Sequence, residues 1–216
     1  MYKDGVNSMD STVSDVSEDK SKILRYAQDR FFRDGFYKLS MDEIARDLAM
    51  SKSTLYKHFL SKLDLVSAVI HLLARNVKGK VHSVIELDTN AVEKFIEIMK
   101  VLTETITRFS DKWMSDIQHH APQIWMEIDE IRKQLLYENI SKIIIQGQKE
   151  ELIKPYPPEI IITLFTGAIR NIVNPQFLIA NSFSYDEAVH YSFRIMLNGI
   201  LTEKGHIILK QLNLPK

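Results

Sequence analysis

The feature of this sequence that most restricts its fold is a helix-start signal that occurs three times in close succession. In "LSMDEI" the Ser40 hydroxyl can accept a hydrogen bond from the backbone N–H of Glu43, whose carboxylate reaches back to Ser40. "MSKSTL" repeats the signal at Ser51, with Thr54 in place of the acid, and "LSKLDL" repeats it at Ser61. The first two helices have room for about two turns each, and helices this short are marginal in water unless packing holds them. The stretch therefore predicts a small bundle of short helices.

Two of these starts have the spacing of a helix-turn-helix motif. The helices beginning at Ser40 and Ser51 are separated by a turn at Ala49–Met50. A preceding helix is predicted from Ser21 to Gly35, because glycine suits the left-handed residue that ends a helix. Apolar side chains of the short helices that can pack on this first helix are Ile44, Ala45, Leu48, Leu55 and Phe59.

The rest of the chain has helical periodicity and no stretch that alternates with period two for long enough to propose a sheet. A long fourth helix is predicted from Leu63 to Val77, followed by Asn90–Phe109, Lys112–His119, Pro122–Gln148, Pro158–Ala180 and Tyr185–Leu201. The predicted fold class is all-α, with a three-helix helix-turn-helix domain, a larger helical domain and about nine helices. The predicted domains are a disordered extension (1–17), a helix-turn-helix domain (18–65), a connecting helix (66–80) and a larger helical domain (81–216).

Charge is distributed unevenly although the formal net charge is zero. Residues 1–17 carry a net charge of −2, residues 18–80 carry +5, and residues 81–216 carry −3. A basic segment on a slightly acidic bulk favours a negatively charged partner for the first domain alone. The absence of cysteine excludes disulfides and thiol catalysis, and without a long apolar run or a signal-like N-terminus we expect a cytoplasmic protein with no membrane contact.

The helix predicted to follow Ser51 has one inward side and one outward side. Leu55 and Phe59 lie four residues apart and face inward. The outward side carries Lys52, Ser53, Thr54, Tyr56, Lys57 and His58. Lysines neutralise phosphates, and hydroxyl groups can approach phosphates or base edges; Lys62 and the cap at Ser40 are further candidate phosphate contacts. Each lysine taken alone is better explained as part of a solvated helix face, and only the combination favours DNA.

Residues 23–70 resemble the DNA-binding domain of TetR-family transcriptional regulators over its whole length. The matching residues, in family order, are Phe31–Phe32, Gly35–Phe36, Ser40–Met41, Ile44–Ala45, Ser51, "TLYKHF" and "SK". The resemblance implies that Thr54, Tyr56, Lys57 and His58 face an operator and that Lys62 contacts the DNA backbone.

The sequence departs from the family pattern at two positions. Ala49 stands where the family usually has glycine in the turn, so either a positive φ there costs about 1 kcal/mol or the turn is slightly different. Ser53 replaces a frequent glycine or alanine. Neither change removes a hydrogen-bond donor, so we expect both to affect stability and sequence preference rather than DNA binding itself.

The resemblance also implies that the C-terminal domain binds a small molecule among its helices. Ring and thioether side chains there suggest a pocket for a hydrophobic or amphipathic effector. The candidate lining residues are Met99, Trp113, Ile117, Trp125, Met126, Tyr137 and Phe165. For any one of them, ordinary core packing is the alternative interpretation.

The last two predicted helices have apolar arcs wider than one core contact needs, which suggests a homodimer built as a four-helix seam. The interface residues proposed on this basis are Phe165, Ile169, Ile172, Val189, Phe193, Met196 and Ile200. The alternative is a central helix buried within a monomer.

Asp116, His119 and His120 share one helix face, but three ligands on one turn are a weak metal signal, and an exposed histidine pair is the preferred interpretation. No cofactor or metal is therefore predicted. No His-Glu-x-x-His motif, phosphate-binding glycine loop or nucleophile elbow is present, so we do not expect an enzyme.

Together these features predict a homodimeric, ligand-responsive regulator that binds a pseudopalindromic double-stranded operator as a repressor and is released by a small-molecule effector. Three alternatives stay open: an activator of the same family, a helical ligand-binding dimer without operator recognition, and a metal-dependent enzyme centred on His119 and His120.

Overall fold

The computed structural model describes the backbone of residues 9–212, and side chains from residue 18 onward except those of Leu136 and Pro175. Residues 1–8 and 213–216, and the expectations that concern them, lie outside the described residues. The described chain is all-α, and its only bridge between extended residues pairs Ile153 with Leu201. Its eleven helices are α1 Met9–Asp34, α2 Met41–Asp47, α3 Lys52–His58, α4 Lys62–Ile85, α5 Ala91–Ile106, α6 Asp111–His120, α7 Pro122–Lys149, α8 Pro158–Ile172, α9 Pro175–Asn181, α10 Tyr185–Ile200 and α11 Glu203–Gln211.

The structure differs from the sequence prediction in the number of helices and in two helix boundaries. Residues 9–17, expected to be disordered, form the first turns of α1, because no glycine or proline separates them from the buried part of that helix and helix propagation costs little once nucleated. The single helix expected over 158–180 is divided, because Asn174 caps a new helix with Pro175 in its first turn. A separate C-terminal helix, α11, begins after a Thr202 cap.

All three serine caps form as the sequence predicts. The Ser40 hydroxyl accepts from the Glu43 N–H at 3.2 Å, and the carboxylate of Glu43 accepts in return from the Ser40 N–H at 2.7 Å. The Ser40 N–H and then the Ser40 hydroxyl, both of which donate to this carboxylate, lower the pKa of Glu43. Ser51 accepts from the Thr54 N–H at 3.0 Å, and Ser61 starts α4 in the same manner. The caps fix where α2, α3 and α4 begin, and therefore which side of α3 is turned inward.

The turn between α2 and α3 has the strained residue that the sequence indicates. Ala49 has φ +53°, and the Met50 N–H closes the turn on the Ala45 carbonyl at 2.9 Å. An alanine in this left-handed region costs about 1 kcal/mol relative to glycine, and the buried contacts of the two helices offset that cost.

Two hydrophobic cores are present, and α4 runs from one to the other. The first core holds the apolar faces of α1, α2, α3 and the first half of α4. The second holds the end of α4 with α5, much of α7, α8 and α10. Trp113, Met114 and Ile117 of α6 belong to the first core, although the sequence assigned them to the C-terminal domain. The predicted boundary at residue 80 therefore does not separate the two cores.

Trp113 of α6 is the aromatic centre of the first core. It is 1% exposed, and its ring lies parallel to Phe31 of α1 at 6.2 Å between centroids. It also meets Phe32 edge-on at 5.0 Å and Phe36 at 5.9 Å. Aromatic pairs at such distances are each worth about 0.5–1.5 kcal/mol beyond the area that they bury.

A polar junction next to this cluster joins α6 to the loop after α1. The backbone N–H of Tyr37 donates to the Asp116 carboxylate at 2.8 Å, and the Tyr37 ring stacks on His120 at 3.6 Å between centroids. Lys62, at the start of α4, donates from Nζ to the Tyr37 carbonyl at 2.7 Å. Gly35 makes this approach possible, because its φ is +75° and a Cβ there would lie 2.4 Å from Asp116 Oδ2.

Within residues 9–212, no helix is both long enough and apolar enough to cross a bilayer.

Gly35→Ala should lower the free energy of unfolding by about 3 kcal/mol, because it forces a positive φ on alanine and displaces Asp116 from the Tyr37 N–H. Gly79→Ala is the matched control, since nothing lies within 4 Å of a Cβ at this position of α4. It should be neutral or raise the stability by up to about 1 kcal/mol. Urea unfolding measures both changes, and a Gly35→Ala variant as stable as the original protein would contradict the assigned junction.

Candidate DNA-reading face and effector cavity

The outward side of α3, residues 52–58 without Leu55, is the surface predicted to read DNA and is called the DNA-reading face below. Leu55 is fully buried and Phe59 is 2% exposed, so both anchor α3 in the first core as predicted. Lys52, Ser53, Tyr56 and Lys57 are exposed, and Thr54 and His58 are half-buried beside them. The structure therefore brings together all six predicted residues of this helix on one accessible surface.

The side chains of the DNA-reading face differ in whether they already make hydrogen bonds or ion pairs within the protein. Lys52 Nζ lies 2.5 Å from the Asp42 carboxylate of α2, and the Thr54 hydroxyl is 2.8 Å from that of Ser51. Tyr56 and Lys57 make no side-chain hydrogen bond or ion pair with any other described residue. An exposed phenol and an exposed ammonium on the second helix of a helix-turn-helix can reach base edges and phosphates in a major groove.

Ser40 and Lys62, the two predicted phosphate contacts outside α3, already make hydrogen bonds within the protein. The Ser40 hydroxyl donates to the Glu43 carboxylate at 2.7 Å while it caps α2. The ammonium of Lys62 lies over the rings of Phe36 and Tyr37 and is bonded to the Tyr37 carbonyl, and partial burial lowers the pKa of Lys62. Lys62 therefore ties α4 to the loop of the α6 junction, a role that the sequence did not reveal.

A cavity of about 160 Å³ lies between the two cores and is lined by residues of α4, α5, α6, α7, α8 and α10. Its wall is almost wholly apolar. Trp113, Ile117 and Trp125, three of the predicted ligand-binding residues, line it. An apolar cavity with few polar groups is typical of a site for a small hydrophobic molecule.

The other four predicted ligand-binding residues lie elsewhere. Met99 and Phe165 are buried in the second core, outside the cavity wall. Met126 and Tyr137 are 63% and 52% exposed, because they lie on the outer side of α7. Composition identified ring and thioether side chains, but it did not indicate which side of a long helix faces the cavity.

Sequence reasoning missed most of the wall because its residues are ordinary aliphatic side chains. They come chiefly from α4, α5 and α7, and include Ile70, Leu73, Val77, Leu102, Ile106, Ile128 and Ile131. The only available signal was the continuous apolar side of the fourth predicted helix. It could not be distinguished from a face that packs fully against a neighbour.

Three polar side chains also line the cavity. Thr105 donates to the Val101 carbonyl of its own helix at 2.7 Å, and Arg132 donates from Nη2 to Asp129 at 2.6 Å. The hydroxyl oxygen of Tyr185 is buried and has no hydrogen-bond partner among residues 18–212. Burial, reinforced by the charge of Asp111, raises the pKa of Tyr185. This phenol therefore stays neutral and protonated near pH 7.

Five of the seven predicted dimer residues are buried within the chain itself. Side chains buried in the second core of the same chain, and so unable to meet a partner, are Phe165, Ile169, Val189, Phe193 and Ile200. Ile172 and Met196 are only partly buried. The reason is that the most apolar side of α8 already packs against α7, and that of α10 already packs against α5.

The Asp-His cluster of α6 is divided between different contacts. Asp116 binds the Tyr37 backbone, His120 stacks on the Tyr37 ring, and His119 Nδ1 lies 2.8 Å from the Ser115 carbonyl oxygen. Across the part of the chain that the structure describes, no three His, Asp or Glu side chains converge as metal ligands.

Comparison with known proteins points to one family. Residues 23–69 match the family model described as bacterial regulatory proteins, tetR family. The HTH-type transcriptional regulator YvaF of Bacillus subtilis is 19% identical over 176 residues, which cover 81% of this chain and 92% of YvaF. The HTH-type transcriptional regulator UidR of Escherichia coli is 37% identical over 62 residues, which are 29% of this chain and 32% of UidR.

The fold of the whole chain has solved counterparts. A transcriptional regulator from Cytophaga hutchinsonii superimposes with a TM-score of 0.65 at 22% identity, covering 84% of this chain and 98% of that one. The helix-turn-helix with its exposed α3, the family match over residues 23–69 and this shared all-helical architecture agree with one another. Residues 23–69, which run from α1 into the first half of α4, are therefore a helix-turn-helix DNA-binding domain of the TetR family of bacterial transcriptional regulators.

Proposed function

We propose that the protein is a dimeric repressor in the cytoplasm that binds a pseudopalindromic operator and is released by a small molecule held in the cavity. The observation that carries operator reading is the DNA-reading face, on which Tyr56 and Lys57 are exposed and without a partner among the described residues. One α3 from each protomer enters a major groove, and the two grooves are successive on the same side of the duplex. A dimer bound over a promoter blocks access of RNA polymerase.

The outer side of the α8 and α10 pair supports the dimer. Leu164 and Ile160 of α8 are 64% and 57% exposed, and Ile195 and Tyr191 of α10 are 70% and 51% exposed. Each pair is four residues apart, so each forms a stripe along its helix. The two helices pack side by side, and a second copy of this pair would bury both stripes in a four-helix seam.

The position of the cavity supports control by an effector. Trp113 and Ile117 line the cavity and also belong to the core that holds α3 in place. A ligand that favours one position of α6 therefore changes the orientation of the DNA-reading face as well. Ligand and operator oppose each other to the extent that the two bind different positions of α6 with different affinities.

Replacing both Tyr56 and Lys57 by alanine should weaken specific operator binding at least about 100-fold, because it removes a phosphate contact and a ring at the groove. An operator is first selected with the original protein from a pool of random duplexes at moderate salt, and affinities are then measured by gel shift.

The matched control for this pair is Tyr137→Ala with Lys142→Ala, two exposed residues of α7. The control variant should bind the selected operator as the original protein does. If no sequence is enriched in the selection, or if the Tyr56 and Lys57 variant binds normally, operator reading by α3 is wrong.

Asp42→Asn should strengthen DNA binding about 3- to 10-fold at low salt, because it removes a carboxylate beside the DNA-reading face and releases Lys52. The gain should shrink as salt is raised, since counterion screening weakens both effects. Fluorescence anisotropy over a salt series measures this, and Asp186→Asn, at an exposed position on α10, should have no effect.

Ile195→Glu should convert the dimer to a monomer, because a buried carboxylate in the centre of the seam costs several kcal/mol per protomer. Light scattering coupled to size exclusion measures the mass. Met126→Glu introduces the same charge at an equally exposed position on α7 and should leave the dimer intact. A monomeric original protein, or a dimeric Ile195→Glu variant, would contradict this seam.

A further inference from the structure

Leu60 lies between α3 and α4 and is 84% exposed, more than any other large apolar side chain among the residues that the structure describes. This exposure is unusual, because an apolar residue directly before a helix cap often packs on the fourth residue of that helix. Leu65, the fourth residue of α4, is fully buried and leaves Leu60 outside. The start of α4 therefore does not explain why a leucine stands here.

The two other serine caps have their preceding apolar residue turned inward. Leu39, before the Ser40 cap, is 8% exposed, and Met50, before the Ser51 cap, packs against the first core. Of the three, the leucine before Ser61 alone points to solvent. A local folding signal that is followed twice and broken once indicates a functional position, because natural sequences tend to depart from such rules where function requires it.

The backbone directs Leu60 to the same side as the DNA-reading face. Phe59 is extended, with φ −140° and ψ 112°, so the side chains of Phe59 and Leu60 point to opposite sides of the chain. Phe59 is buried in the first core, and Leu60 is therefore directed outward, as Tyr56 and Lys57 are. The N–H of Leu60 donates to the Asp64 carboxylate at 2.9 Å, which fixes the residue to the first turn of α4.

The charges around Leu60 favour DNA as its partner. Lys57, three residues before it, is exposed, and Lys62 begins α4 two residues after it. The segment 18–80 as a whole carries a net charge of +5. A cationic border attracts phosphates, and a duplex also presents apolar groups next to its phosphates, namely the C–H groups of deoxyribose and the methyl groups of thymine.

Resting on the proposed function, in which α3 reads an operator, we infer that Leu60 is a further DNA contact that packs on apolar C–H groups of the duplex beside the groove that α3 enters. A lysine contact adds affinity that salt removes, whereas burial of a leucine releases no counterion. The contact therefore strengthens binding without changing its salt dependence. If the group contacted is a thymine methyl, Leu60 also adds sequence preference at the edge of the half-site.

Leu60→Ala should weaken binding to the selected operator about 3- to 10-fold, because most of the apolar contact is lost. Fluorescence anisotropy over a salt series should give the same slope of log affinity against log salt as for the original protein. Lys57→Ala, by comparison, should make that slope shallower by about one for each protomer. Leu60→Met, which stays apolar, should bind within about twofold of the original protein.

Leu87→Ala is the matched control, because Leu87 is 45% exposed in the loop after α4, at the opposite end of that helix from Leu60. It should leave operator affinity unchanged. Urea unfolding should find Leu60→Ala as stable as the original protein, since so little of this side chain is buried, so that a loss of affinity reports on the contact with DNA.

Replacing the thymines of the operator one at a time by deoxyuridine separates the two kinds of apolar group. If Leu60 meets a thymine methyl, one replacement weakens binding of the original protein about 3-fold and leaves Leu60→Ala unaffected. If it meets deoxyribose, no replacement distinguishes the two proteins, and Leu60→Ala also binds unrelated duplexes more weakly.

Normal operator affinity of Leu60→Ala, or a loss of affinity that comes with a shallower salt slope, would overturn this inference and leave operator reading by α3 intact. Absence of specific operator binding by the original protein contradicts the proposed function, and this inference with it.

Discussion

The packing of Trp113 against Phe31, Phe32 and Phe36 is the interaction on which the rest of the structure depends. It places a helix of the larger domain inside the core of the helix-turn-helix, so the DNA-binding domain is completed by residues far along the chain. The short helices α2 and α3 would be marginal without such packing. The same indole also lines the cavity, which means that one side chain contributes both to the support of α3 and to the wall of the proposed effector site.

The polar junction beside Trp113 determines which segments are connected to α6. Asp116 and His120 hold Tyr37 at the end of α6, and Lys62 holds the carbonyl of the same residue from the start of α4. A movement of α6 is therefore shared by the loop after α1 and by the first turn of α4, between which the helix-turn-helix lies. Packed interfaces of this kind change between discrete arrangements rather than bending continuously, and the proposed control by an effector rests on this property: a small displacement at the cavity would reorient α3.

Local signals in the sequence predicted the DNA-binding domain well. The caps at Ser40, Ser51 and Ser61, the inward positions of Leu55 and Phe59, and the left-handed turn all follow from residues within a few positions of one another. Such contacts are set by helix geometry, so one sequence suffices to find them.

Contacts between distant segments could not be predicted in this way. Periodicity showed that α8 and α10 have two apolar sides, but it could not indicate that Phe193 packs inward on Phe165 of α8 while Ile195 faces outward. Asp116 was considered with two histidines as a weak metal site, because its true partner, Tyr37, lies in another part of the chain. The role of Lys62 was missed for the same reason.

The central claim is that the cavity and the DNA-reading face are coupled through α6. The most direct test is the operator affinity of the dimer with and without a saturating cavity ligand. The account predicts a weaker operator affinity in the presence of ligand, and an equal reduction in ligand affinity when operator is bound, since coupling between binding sites is reciprocal. An operator affinity unchanged at ligand saturation would contradict it.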